Sequence, residues 1–300
     1  MKRWALTLAG AVALIAGTIG IVRFRTEKVP LRPETGKPHF AATIFPLYDI
    51  ARNIVGDEGV VTLIVPPGAS PHFFEFSPRQ LSALQDVKAV FSIGHGLDDW
   101  VAQATTAAGT AQVTVVDHGI ALRRFEDGTT DPHYWLRLDN AGKIAANIAD
   151  MLAVRDTARA ETYQANARDY ERKLAAEERE LKGALAPARG SPILTFHDAW
   201  FYFADEFGLK IAGTFEPASG QEPTARYLAN LQRRIKADHI RAIFIEPQLS
   251  SGVLRSFARD NGVEIAELDP LGGTEGRATY LDLMAFNVHA VRKAIAGLDP

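Results

Sequence analysis

From Ala141 to Lys182 the chain carries one glycine, Gly142, and no proline. So long a stretch without a breaker reads as helix. Asp156 and Thr157 offer a capping break after "IADMLAV". The second piece, "TARAETYQANARDYERKLAAEERELK", holds about 26 residues and is about 40 Å long as a helix. Its apolar positions Tyr163, Ala167, Tyr170, Leu174 and Leu181 do not keep a clean heptad, which argues against a coiled-coil dimer helix. A rod of that length reaches the full height of two ordinary lobes, so the fold is decided by what flanks it.

Strand and helix alternate on both sides. Before the rod, "HFAATIFPLYDIARNIVG" reads as strand, turn and helix, "GVVTLIVPPGAS" as a strand stopped by Pro66, Pro67 and Gly68, and "KAVFSIG" and "AQVTVVD" as further strands. Ser77 and Pro78 supply an N-cap and a first-turn proline for the helix "SPRQLSALQDV". After the Pro/Gly/Ala connection Gly183–Gly190, the strands "PILTF", "LKIAGTFE", "IRAIFIE" and "VEIAELD" alternate with helices, and a last helix starts near Thr279. Alternation of this kind favours parallel sheets. The expected fold is α/β, with two parallel-sheet lobes bridged by one long rigid helix and a cleft between them. The expected divisions are a segment 1–25, a polar, Pro-containing linker 26–37, an N-terminal lobe 38–139, a helical part 140–184 and a C-terminal lobe 185–300.

Segment 1–25 stands apart. Lys2 and Arg3 precede the uncharged run "WALTLAGAVALIAGTIGIV", Trp4–Val22, which reads as a secretory signal. It shows no convincing small-x-small cleavage site, and it is also long enough to span a bilayer as a retained anchor. Either way the remainder is expected outside the cytoplasm, in the periplasm, free or tethered to the inner membrane. The chain has no cysteine, which removes disulfides, thiolate chemistry, Cys-type metal sites and a lipid anchor that needs a Cys. Net charge is −3, so no basic footprint for nucleic acid is present. Any metal site must be built from His, Asp or Glu.

Of the eight histidines, three stand in loops near the ends of expected strands or lobe elements: His72 in "PPGASPHFFEFSP", His133 in "DGTTDPHYWL" and His197 after "ILTF". Asp269 in "VEIAELDPLGG" follows another apolar strand. In open α/β sheets ligands bind beyond the carboxyl ends of strands, so these four residues, two from each lobe, are candidates for a site in the cleft. Three imidazoles and a carboxylate suit Zn²⁺, with Mn²⁺ less suited. His95 in "SIGHGLDDW" is a reserve ligand. His39, His118, His239 and His289 read as structural or surface residues. Glu246, Asp131 and Asp198 each read equally as partners orienting a ligand His or as turn formers. Trp200, Phe201, Tyr202 and Phe203 read as core.

The stretches "PPGASPHFFEFSPRQLSAL", "DPHYWL", "TFHDAWFYFADEFGL", "IFIEPQLS" and "ELDPLGG" resemble the metal-binding substrate proteins of zinc/manganese ABC importers, in order and spacing, from about residue 38 to 300. The resemblance implies two α/β lobes on a rigid helix, with His72, His133, His197 and Asp269 as metal ligands. It implies a zinc-type set, because manganese-type members carry a carboxylate where His197 stands. It implies a non-enzymatic carrier, expected to be a monomer, whose ligand is a divalent metal ion and whose partner is an inner-membrane ABC permease. Two departures stand out. Phe76 occupies a position where proline is usual. "ALRRFEDGTTDPH", Ala121–His133, is short and has no extra His where zinc-type members carry a His-rich acidic loop. Because His must be neutral to bind, affinity is expected to fall as pH drops through about 6.5. The alternatives are a zinc-dependent hydrolase using a three-His site with Glu75 as base, a manganese or iron importer protein, and a metal-free organic-solute binder.

Overall fold

Four short runs before the rod and four after it become strands, of which His39–Ala42, Ala89–Ser92 and Ala242–Ile245 are buried throughout. The computed structural model describes residues 36–109, 112–216, 222–249 and 252–296. Strands β1 (His39–Ala42), β2 (Val60–Leu63), β3 (Ala89–Ser92) and β4 (Gln112–Val115) pair in parallel in the order β2-β1-β3-β4. Strands β5 (Pro192–Thr195), β6 (Lys210–Thr214), β7 (Ala242–Ile245) and β8 (Glu264–Glu267) repeat that order as β6-β5-β7-β8, again all parallel. Each sheet therefore reverses its winding direction between its first and third strands, the place where α/β sheets open a crevice at their carboxyl ends.

Alternation along each strand divides the core into three. Phe40 and Ala42 of β1 and Ala89 and Phe91 of β3 point into a large central cluster, while Ala41 and Val90 point into an outer one. In the second sheet Ile193 and Phe244 join the central cluster, and Leu194, Ile243 and Ile245 an outer one. Side chains of successive strand residues face opposite ways, and strands buried on both faces read as continuous apolar runs.

The helices follow the same logic. In chain order they are α1 (Phe45–Val55), α2 (Pro78–Ala83), α3 (Trp100–Ala108), α4 (Leu138–Arg155), α5 (Ala160–Leu185), α6 (Phe201–Phe207), α7 (Ala225–Ala237), α8 (Gly252–Asn261) and α9 (Tyr280–Ala296). Helix α5 links the lobes and packs on α4, α1 and α9, which covers its stripe Tyr163, Ala167, Tyr170, Leu174, Leu181 and Leu185 within the chain. At α2 the Ser77 side chain accepts from the Gln80 amide and the Gln80 side chain accepts from the Ser77 amide, with Pro78 at the first position, a reciprocal capping box.

The rod departs from its expected ends. Helix α5 continues through Gly183, because Leu185, 1% exposed, prolongs the buried stripe and offsets the roughly 1 kcal/mol that a helical glycine costs. Helix α4 begins at Leu138 with no side-chain cap from Arg137. Its first amide is instead capped by Glu206 of α6, with Leu138 N donating to Oε2 at 2.9 Å.

Further ties join the lobes. The Trp135 indole Nε1 donates to Pro270 O (2.8 Å), the Tyr280 hydroxyl to Trp135 O (2.6 Å), and the Tyr280 amide to Asp49 Oδ2 (2.9 Å). Gly273, at φ +78°, lies so close to Phe45 and Pro67 that a Cβ there would meet the Phe45 ring at 2.8 Å. Among the described residues no helix is long and apolar enough to cross a membrane. The run Trp4–Val22 and residues 26–35 of the linker 26–37 lie outside the described residues.

Candidate metal centre

His72, His133 and His197 arrive from separate segments. His72 sits in a 3₁₀ turn, Pro71–Phe73, whose first residue is a proline. His133 immediately precedes the turn Tyr134–Leu136. His197 follows β5, its carbonyl accepting from the Thr195 hydroxyl (3.0 Å) and the Ala199 amide (3.0 Å). Because β5 and β7 are neighbours across the winding reversal, the residue just past β7, Glu246, comes to lie beside His197.

The three rings form a near-equilateral triangle, with centroids 5.5, 5.7 and 5.2 Å apart. One ligating atom from each lies within 4.8 Å of the other two. Nε2 of His72 and Nε2 of His133 are 3.4 Å apart. Two nitrogens on a tetrahedral zinc, at about 2.0–2.1 Å from it, would be about 3.3–3.4 Å apart.

Two of the rings are aimed by buried carboxylates. Asp131 Oδ1 accepts from both the amide and Nδ1 of His133, at 3.0 and 2.9 Å. Glu246 Oε1 accepts from His197 Nδ1 at 2.7 Å and from the Trp200 indole at 3.0 Å. A proton fixed on Nδ1 leaves the Nε2 lone pair free for a metal. His197 Nε2 is buried and has no hydrogen-bond partner among the described residues. It borders a cavity of about 20 Å³ lined also by His72, His133, Glu246, Gln248 and Leu271. A space of that size holds about one water or ion.

The surroundings treat two of these imidazoles oppositely. Burial, helped by the neighbouring His133 and His197, pushes His72 down to about 3. Burial also acts to lower His197, but the Glu246 carboxylate, through its charge and its hydrogen bond, outweighs it and the net direction is up. Outside the triangle a second cavity of about 550 Å³ opens, lined by the three histidines, His95, Phe125 and Asp198 among others.

The structure brings together His72, His133 and His197; Asp269 is not part of that group. Its carboxylate is 1% exposed and taken up locally. Oδ1 accepts from Gln248 Nε2 (2.7 Å) and the Leu271 amide (2.9 Å), and Oδ2 pairs with Arg277 Nη1 at 3.0 Å. His95 pairs with Asp117 at 2.8 Å on the wall of the outer cavity. Glu246 and Asp131, open between two readings in the sequence, orient His197 and His133, whereas Asp198 bonds Arg123 instead. Gln248, Arg277 and Arg123 were not anticipated, and no local pattern marks them. Phe201 is not core: it is 37% exposed.

Two parallel-sheet lobes on a common helical layer, with three converging imidazoles in the cleft, define a helix-bridged metal-binding protein. The comparisons agree. The family model described as "Zinc-uptake complex component A periplasmic", ZnuA, matches residues 41–294, and the chain belongs to that family. The zinc-binding protein AdcA of Streptococcus pyogenes is 26% identical over 287 residues, covering 86% of this chain and 56% of AdcA. The chain thus spans little more than half the length of that relative. The manganese-binding lipoprotein MntA of Halalkalibacterium halodurans is 31% identical over 249 residues, covering 81% of this chain and 83% of MntA. A crystal structure of a ZnuA deletion mutant with zinc bound superposes with a TM-score of 0.79 at 26% identity, covering 88% of this chain and all of that one, 100%.

Proposed function

We propose that this protein captures Zn²⁺ outside the cytoplasm and hands it to the permease of an ABC importer, without catalysing a reaction. The observation that carries this reading is the triangle of imidazoles, two of them aimed by buried carboxylates, with the unpartnered Nε2 of His197 facing an ion-sized cavity. His72, His133 and His197 are the nitrogen ligands. Asp269 is the fourth ligand, reached when its carboxylate turns away from Arg277 and Gln248. Four protein ligands close a zinc site and leave no position for an activated water.

Nitrogen donors also bear on metal choice. Imidazole suits zinc, whereas manganese prefers carboxylate, carbonyl and water oxygens. The MntA relative keeps a manganese reading in view, but three nitrogens against one carboxylate favour zinc. The hydrolase reading loses its base, since Glu75 is exposed and outside the histidine group. The chain acts as a monomer, with segment 1–25 directing it across the inner membrane and either cleaved or retained as its tether.

The test is calorimetric titration of metal-stripped protein with Zn²⁺ and then Mn²⁺ at pH about 7.5, where a free imidazole is neutral. One tight equivalent of zinc with much weaker manganese is expected. Absence of stoichiometric binding of either metal would overturn the reading.

A further inference from the structure

The segment Leu122–Asp131, which lacks the histidines of a metal-scavenging loop, is a hairpin. Arg124 and Thr130 bridge in antiparallel fashion, the Phe125 amide donates to Thr129 O (2.8 Å), and the Asp131 amide donates to Arg123 O (2.9 Å). Its base is gripped from the other lobe. The Tyr202 hydroxyl of α6 accepts from the Arg123 amide at 2.8 Å and donates to Asp131 O at 3.3 Å.

The Arg123 side chain completes the grip. Its guanidinium lies 5.0 Å from the Phe125 ring centre and 4.6 Å from that of Phe201. That contact accounts for the exposed Phe201. Nη1 donates to Asp131 Oδ2 (3.1 Å) and Asp198 Oδ1 (2.8 Å), and Nη2 donates to Asp198 Oδ2 (3.0 Å). Asp131 is the carboxylate that holds His133 through its other oxygen, and Asp198 is the chain neighbour of His197. One planar cation thus joins the carboxylate that aims His133 to the chain neighbour of His197, across the two lobes. A bidentate fork suits this role because it fixes direction as well as distance.

We infer that the hairpin is an interlobe clasp and that Arg123 is a positioning residue, holding His133 and His197 at the separation a metal ion needs and so slowing its release. This rests on the metal-binding reading above. Holding both lobes in place before binding removes an ordering cost that the ion would otherwise bear.

The test uses full-length protein with the variants Arg123→Gln, Asp198→Ala and both together. Zinc release is followed by stopped-flow competition with a chelator, and hydrogen exchange of the Leu122–Asp131 amides is followed in metal-free protein. Each single variant is expected to release zinc about tenfold faster, the lower end of what supporting residues contribute to metal affinity. The double variant should be no faster than either single one, because both remove the same link. Arg123→Lys keeps the charge but cannot hold two carboxylates in a fork, and should release zinc as fast as Arg123→Gln to within about threefold. Release within about twofold of the parent in both single variants, or single effects that multiply in the double, would overturn the clasp. If the parent itself binds no zinc, the metal reading fails separately. Hydrogen exchange still decides the clasp in that case: faster exchange of the hairpin in Arg123→Gln supports it and unchanged exchange rejects it.

Discussion

Glu206 sits where α6 meets the start of α4, with its side chain fully buried. Oε2 accepts from the Leu138 amide, Oε1 has no hydrogen-bond partner among the described residues, and Lys182 Nζ stands 3.9 Å away. Burial raises its pKa from 4.5 to about 7, against the opposing pull of the Leu138 amide. The folded state therefore holds this proton more tightly than the unfolded chain. The resulting stabilisation is complete below the unfolded pKa and is lost as pH rises through about 7. At about 1.4 kcal/mol per pKa unit, the two-state linkage expression gives a loss of about 2.5 kcal/mol between pH 5 and 8. Glu206→Gln keeps an acceptor for the Leu138 amide and cannot ionise. The stability gap between variant and parent should shift by about 2.5 kcal/mol in favour of the glutamine from pH 5 to 8, or about 4 °C in Tm for a chain of this size. The assay is urea and thermal unfolding of metal-free protein in chelator at both pH values, since bound metal would add its own stabilisation. Groups common to both proteins cancel in the difference. A gap that does not change with pH, or that moves against glutamine at pH 8, would refute the account.

Other perturbations test the site and the lobe contact. Glu246→Ala removes the acceptor of both His197 Nδ1 and the Trp200 indole, and should weaken zinc binding about 10–100-fold in a competition assay with a fluorescent chelator; unchanged affinity would show that Glu246 does not orient the ligand. Gly273→Ala must adopt φ +78° and place a Cβ 2.8 Å from the Phe45 ring, so it should lower stability by about 1–3 kcal/mol by urea unfolding; a neutral result would mean that the lobes yield easily at this contact.

The alternating pattern made the two lobes legible, because the central strands β1, β3 and β7 are buried throughout and read as short apolar runs. Helix ends were less legible where their causes are remote. The cap on Leu138 comes from Glu206, and no local signal announces it. Candidate ligands His72, His133 and His197 could be named because strand ends collect ligands, whatever the sheet order. Their supports divide by distance along the chain. Asp131 is two residues from His133, so the sequence could offer it but not choose it. The pairing of His197 with Glu246, across 49 residues, exists only because β5 and β7 are neighbours. Arg123 reads as one of two solvated loop arginines until Asp198 is placed beside it.

The supports also explain how the three nitrogens differ under the metal-binding reading. His133 and His197 each take their orienting carboxylate from their own lobe, Asp131 from the same loop and Glu246 from the adjacent strand end. His72 has no bonded carboxylate among the described residues, is only partly buried, and lies in a turn that opens on the outer cavity. Its pKa, lowered to about 3, keeps the ring neutral, so an arriving cation meets a free lone pair and no competing proton. Under that reading the site joins one imidazole without a bonded carboxylate, His72, to two that carboxylates aim, His133 and His197. Exchanging His197 for a carboxylate would set a second acid against Glu246 at hydrogen-bond distance. Under the same reading, the Glu246–His197 pair presents a nitrogen at this position, the donor that suits zinc better than manganese.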